Sequence, residues 1–166
     1  MIIGRIAKII LIAGLAAFAL IVAYDNVLDY GSNYEFVRHV LSMDTTFGGS
    51  VLRSRAISDE TIWHATYALI IVVEGITGLL LAFGGLALLM RLRSSAAIFN
   101  RTKVWAVAGL TVGFGLWFVG FLVVAGEYFA MWQSKVWNGQ EAAFRITAII
   151  LGVLIYVSLP DGDLSD

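Results

Sequence analysis

The chain has 166 residues, of which 60% are hydrophobic and 14% charged, well short of the ~25% charged residues of an ordinary soluble domain. A net charge of −1 leaves no electrostatic footprint for nucleic acid, and the absence of cysteine excludes disulfides, thiolate chemistry, iron–sulfur clusters and Cys-type zinc sites. With one proline, 17 glycines and no low-complexity tract, the chain is neither collagen-like nor disordered, and its class is integral membrane protein.

The first apolar run predicts a helix over 6–24, preceded by Arg5 and Lys8. Basic residues, an apolar core and the small-residue stretch "AFA" also fit a secretory signal, but the run is expected to be retained as the first spanning helix. Residues 25–60 form the largest polar segment. There "SNYE" has the Ser-x-x-Glu form of a capping box, Ser32 accepting from the backbone and Glu35 reaching back. Tyr34, Val37, Val40 and Leu41 then share one side of a short amphipathic helix, as in a segment lying on a membrane surface. "TTFGGS" ends it, and "SDET" at 58–61 starts the next helix with acids at its positive end.

The second spanning helix is expected over 61–90, longer than the ~20 residues a bilayer core requires, and Glu74 is the only charged residue between 66 and 90. The third is expected over 104–126 and the fourth over 142–159, so residues 1–166 form a single all-α, four-helix transmembrane domain. None of these runs alternates with the period of two that strands require. Arg5, Lys8, Arg91, Arg93, Arg101 and Lys103 fall in short segments at one end, against Arg38, Arg53, Arg55 and Lys135 in longer loops at the other. The positive-inside rule therefore places both termini in the cytoplasm, although Arg53 and Arg55 count the other way.

In the third helix Ala106, Gly109, Gly113 and Gly120 lie close to one stripe, and Gly109 and Gly113 make a GxxxG pair. The first helix offers Ala13 and Ala17, the second Gly75 and Gly78. Such residues serve tight packing within the bundle or docking of another protein's helix, and both readings stand.

Glu74, in "IIVVEGITG", needs a partner, a water or a proton at bilayer depth, where a charge costs about 2.5–3.5 kcal/mol on insertion scales. Thr77, Thr111, a backbone carbonyl or a neighbouring subunit are the candidate partners. A proton relay would need further ionisable groups at that depth, and the sequence supplies none. Arg145 is placed to pair with Glu127 or Glu141, or to reach phospholipid headgroups. His39 and His64 invite a bis-histidine haem, but neither lies deep in the bundle, and His64 follows Glu60 at the spacing of a surface pair. No nucleophile elbow, P-loop, dinucleotide fingerprint or HExxH motif is present, so no catalytic, cofactor or metal residues are assigned and an enzyme is not expected.

The stretch "EYFAMWQSKVWNGQEAAFR" at 127–145 sits between the last two spans. Tyr128, Phe129, Trp132 and Trp137 suit an interfacial aromatic belt, and "NG" marks a turn. The amides Gln133, Asn138 and Gln140 suit hydrogen bonding to protein, either the 25–60 loop or a partner. Together with "AYDN" after the first helix and Pro160-Asp161 after the fourth, this stretch resembles a family of predicted small bacterial integral membrane proteins carried as a domain of unknown function. The resemblance covers essentially the whole chain and implies a four-helix protein of the bacterial inner membrane.

The functional expectation is a non-catalytic accessory subunit of a larger respiratory or photosynthetic membrane complex. It would contact other integral membrane subunits and phospholipid through Trp132, Gln133, Trp137, Asn138, Gln140, Gly109 and Gly113. The alternatives are a protein that binds haem, quinone or lipid between its helices, and a minimal proton-coupled transporter.

Overall fold

The structure, a computed structural model, describes residues 2–164; Ser165 and Asp166 of the acidic tail lie outside the described residues. The described residues form helices α1 (Ile2–Leu28), α2 (Tyr30–Ser42), α3 (Glu60–Met90), α4 (Ala96–Thr102), α5 (Val104–Phe114) and α6 (Gln140–Ser158). Between α5 and the connection to α6, Gly115–Tyr128 continues the same rod as a π-helix. Four stretches are long and apolar enough to cross a membrane: Ile2–Leu28, Glu60–Met90, Ala96–Tyr128 and Gln140–Ser158. Both ends of the chain lie at one end of the bundle, the terminal end; α2 and the loops 43–59 and 129–139 form the far end.

The spanning helices pack through small residues, as they must where lipid removes the hydrophobic drive between helices. α1 and α3 run antiparallel, with Leu20 over Gly78 and Ile12 over Gly85. A methyl group on Gly84 would come within 2.5 Å of the Ala106 backbone nitrogen, so α3 and α5 meet there nearly backbone to backbone. Gly109 and Gly113 close the same seam, facing Leu81 and Thr77. The GxxxG pair is therefore used inside the bundle and presents no face to a partner. Two further expectations change. Ala13 and Ala17 are exposed while Ala16, Ala19 and Ala23 are buried, and a methyl on Gly75 would meet open space.

Helix boundaries follow local chemistry. Asp59 caps α3, its Oδ1 accepting from the backbone N–H groups of Thr61 at 2.8 Å and Ile62 at 3.4 Å. Asn138 Oδ1 accepts from the Gln140 N–H at the start of α6. The expected capping box at Ser32 is not formed, because α2 begins at Tyr30 and places Ser32 inside its first turn. There Ser32 donates to Asp29, and Glu35 pairs with Arg38. The apolar face of α2 turns inward. Val37, Val40 and Leu41 are buried with Met43, Tyr67, Phe129, Ala130 and Met131 in a second apolar core that closes the far end. Phe129 thus belongs to that core and not to an aromatic belt.

At the terminal end three cations are buried against the chain's last described residues. The Arg5 guanidinium lies over the Phe99 ring and donates to the carbonyls of Leu92, Ser94 and Gly162. Lys8 and Lys103 both donate to the Leu159 carbonyl and both pair with Asp161, at 2.7 and 2.5 Å. Burial acts to raise the Asp161 pKa, but the hydrogen bonds and charges of Lys103 and Lys8 outweigh it and hold the carboxyl below its ordinary value. Asn100 fixes the same residue from the backbone, donating to its carbonyl and accepting from its N–H.

Candidate functional site

The buried carboxylate of α3 finds its partner on α1. Asn26 Nδ2 donates to Glu74 Oε2 at 2.8 Å, and the two side chains belong to residues only 5% and 2% exposed. Asn33, on α2, donates to Asn26 Oδ1 at 2.6 Å, so two amides in series link the exposed end of α2 to the carboxyl group. The Tyr67 hydroxyl donates to the Asn26 carbonyl at 3.2 Å. Neither candidate threonine is involved: Thr77 donates to the Val73 carbonyl and Thr111 to that of Val107, each within its own helix. Asn26 escaped notice because the first helix was expected to end at residue 24, whereas it runs to Leu28 and carries Asn26 to the level of Glu74.

Glu74 lies near the middle of the 31-residue α3, a rise of roughly 24 Å from Met90 at ~1.5 Å per residue.

Glu74 opens into a cavity of about 180 Å³ whose walls include Asn26, Asn33, Phe36, Tyr67, Trp117 and Phe121. Phe36 and Phe121, stacked with centroids 6.5 Å apart, also stand in the walls of two flanking cavities. One, about 410 Å³, is almost wholly apolar and lies under α2 between α3 and the π-helix. The other, about 460 Å³, runs between Phe18, Phe36 and Trp117 towards Arg145 on α6. The π-helix shapes the first of these. Bonding five residues back, as in Phe129 N–H to the Val124 carbonyl at 3.0 Å, widens each turn. Residues 115/116, 120/121, 124/125 and 129 consequently share the cavity face. Gly120, expected on the packing stripe of Gly109 and Gly113, is rotated by this change of period into the cavity wall.

The other expected site residues divide between internal and exposed roles. Gln133 is buried and accepts from the Phe47 N–H at 3.1 Å, tying the two far loops together. Trp137 stacks on His39 of α2, with centroids 4.5 Å apart and planes 14° from parallel. The Gln140 side chain packs against Gly126, and the Asn138 side chain is used at the start of α6. Of the group, Trp132 is the large side chain left open, 46% exposed beside Phe47. Arg145 faces Glu141 at 3.7 Å on an exposed surface and does not approach Glu74 through any ion pair among the described residues. His64 accompanies Tyr30 and Tyr34, and His39 accompanies Asp44 and Trp137. Neither histidine lines the three cavities, and among the described residues no three metal-binding side chains converge.

Comparison with known proteins gives one match. Residues 4–160 match the family described as predicted small integral membrane protein, DUF2165. The chain belongs to this family. No curated protein and no solved structure matches it. Membership of DUF2165 agrees with the four membrane-spanning stretches and spans every residue of the cavity system around Glu74.

Proposed function

We propose that this DUF2165 protein is a non-catalytic, multi-pass protein of the bacterial cytoplasmic membrane that holds an apolar small molecule or lipid between its helices. The observation that carries the reading is Glu74, a residue only 2% exposed, lining a chamber that shares its aromatic wall with a larger apolar cavity. Two adjoining clefts of this size, apolar with one polar anchor, have the character of a ligand site.

The test is purification in mild detergent followed by native mass spectrometry. The expected result is one retained amphiphile per chain, lost in Gly120→Leu, which fills the 410 Å³ cavity from a position where an added methyl meets only Leu116 at 3.7 Å. A chain that is empty, and indistinguishable from Gly120→Leu, removes the proposal.

A second reading, the accessory subunit of a larger membrane complex, is favoured by a specific surface. Phe47, Val51, Trp132 and Val136 leave apolar side chains exposed at the far end, from 46% for Trp132 to 88% for Val51. Co-purification of stoichiometric membrane subunits, abolished by Trp132→Ala, would establish it.

The proposed orientation puts both termini in the cytoplasm. Arg91, Arg93 and Arg101 support it, being available at the terminal end in addition to the buried Arg5, Lys8 and Lys103. Because the chain has no cysteine, single cysteines at positions 93 and 132 report topology without background. Position 132 should react with an impermeant thiol reagent in intact cells and position 93 only after permeabilisation.

A further inference from the structure

We infer that the chamber at Glu74 takes an organic ammonium head carried on an apolar tail. The inference rests on the ligand-holding reading above and names the ligand's chemical class.

Three features of the chamber converge on it. The first is a buried carboxyl group with no cation beside it. No lysine, arginine or histidine lines either the 180 Å³ chamber or the 410 Å³ cavity, and Glu74 forms no ion pair among the described residues. A carboxylate removed from water without a cation is costly, and a ligand that brings the cation removes that cost.

The second is the pattern of hydrogen-bond groups. The Asn26 amide donates to Glu74 and the Tyr67 hydroxyl to the Asn26 carbonyl. The donors closest to the carboxyl group are thus committed, and they orient it as an acceptor. Oε1 of Glu74 receives no hydrogen bond from the described residues and is open to a donor. An anionic head would meet like charge there, and a carbonyl-bearing head a second acceptor.

The third is the wall. Phe36, Tyr67, Trp117 and Phe121 present rings to the same chamber, and aromatic faces attract alkylammonium groups through their quadrupoles, most strongly where water is excluded. Tyr67 is 1% exposed and anchored by its hydroxyl, and Phe36 is braced against Phe121, so these rings are held in place before any ligand arrives. A carboxylate within an aromatic enclosure matches an ammonium group and no other common head chemistry equally well. The adjoining 410 Å³ cavity, lined by Val40, Leu69, Val112, Leu116 and Val124 among others, accommodates the tail.

Calorimetric titration of the full chain in neutral maltoside micelles tests the inference. The probes are octylammonium, uncharged 1-decanol, and dihexanoyl phosphatidylethanolamine. The expected result is one octylammonium per chain, bound at least about ten-fold more tightly than decanol. Glu74→Gln should abolish that preference. Phe121→Leu, which keeps the wall apolar but removes a ring, should reduce it about three-fold or more and supplies the answer if Glu74→Gln does not fold. Phosphatidylethanolamine binding as tightly as the alkylammonium assigns the head to a membrane lipid, and weaker binding assigns it to a free lipophilic amine; both uphold ammonium recognition. Equal binding of cation and decanol by the unmodified chain overturns the inference and leaves the ligand-holding reading standing. Binding of none of the probes, by a chain that also purifies empty, overturns both.

Discussion

Asn26 is the side chain on which the buried carboxyl group of Glu74 depends, and it is buried almost as completely. Asn26→Ala should lower stability by about 1–3 kcal/mol, the cost of leaving a buried acceptor without its donor, read as a reduced thermal midpoint in detergent. Asn33, exposed and one bond further out, should cost less than about 0.5 kcal/mol when changed to Ala. At this scale the sequence was half legible. A lone acid inside a 25-residue apolar stretch stands out, and Glu74 could be singled out without coordinates. Its partner could not, since Asn26 is 48 residues away and polar neighbours such as Thr77 offered a nearer answer. A threonine inside a helix satisfies its hydroxyl on the preceding turn, as Thr77 does, and so is a poor guide to long-range pairing.

Among the helices, the closest approach is that of α3 and α5 at Gly84. Gly84→Ala should destabilise by about 1–3 kcal/mol, because the clashing atom is backbone and has no rotamer to yield. Gly75→Ala, facing open space on the same helix, should be neutral or stabilising by up to about 1 kcal/mol through helix propensity. The pair can be compared directly by thermal unfolding in the same detergent. Apolar run lengths and the Asp59 start signal made the four spans readable to within four residues at every end except the start of the third, which begins at Ala96 and not at 104. The role of each glycine was not readable, because a 3.6-residue stripe identifies a face and not what the face meets. The same limit hid the π-helix. Gly115, Gly120 and Leu116 fit an α-helical stripe as well as any neighbours do, and the change of period is set by packing against α3 and α6. Likewise the face of Val37, Val40 and Leu41 was legible as apolar, but a membrane surface and a protein core draw the same pattern.

Across the whole molecule, the terminal end is held by charge where the far end is held by aromatic and apolar packing. Asp161→Asn would leave Lys8 and Lys103 buried beside a neutral group, with an expected loss of about 3–5 kcal/mol. The pH dependence follows from the direction of the Asp161 shift. Its pKa is lower in the folded chain than in the unfolded one, so its stabilisation is complete above the ordinary carboxylate value of about 4. It is lost as pH falls from there through the still lower folded value. Thermal unfolding between pH 7 and pH 3 should therefore show the unmodified chain losing stability below about pH 4 relative to Asp161→Asn. A constant difference between the two over that range would contradict the pairing.

The bond from Lys8 to Asp161 joins positions 153 residues apart, and that from Arg5 to Gly162 joins positions 157 apart. A ribosome delivers chain at roughly 5–20 residues per second, so Lys8 would wait on the order of ten seconds or more for the carboxylate that neutralises it, and Arg5 for the last of the three carbonyls that hold it. During that interval Lys8 would stand without a counter-ion beside the first span, available to machinery that reads positive charge. The same side chain would then serve twice in order, first to orient the nascent protein and last to lock it.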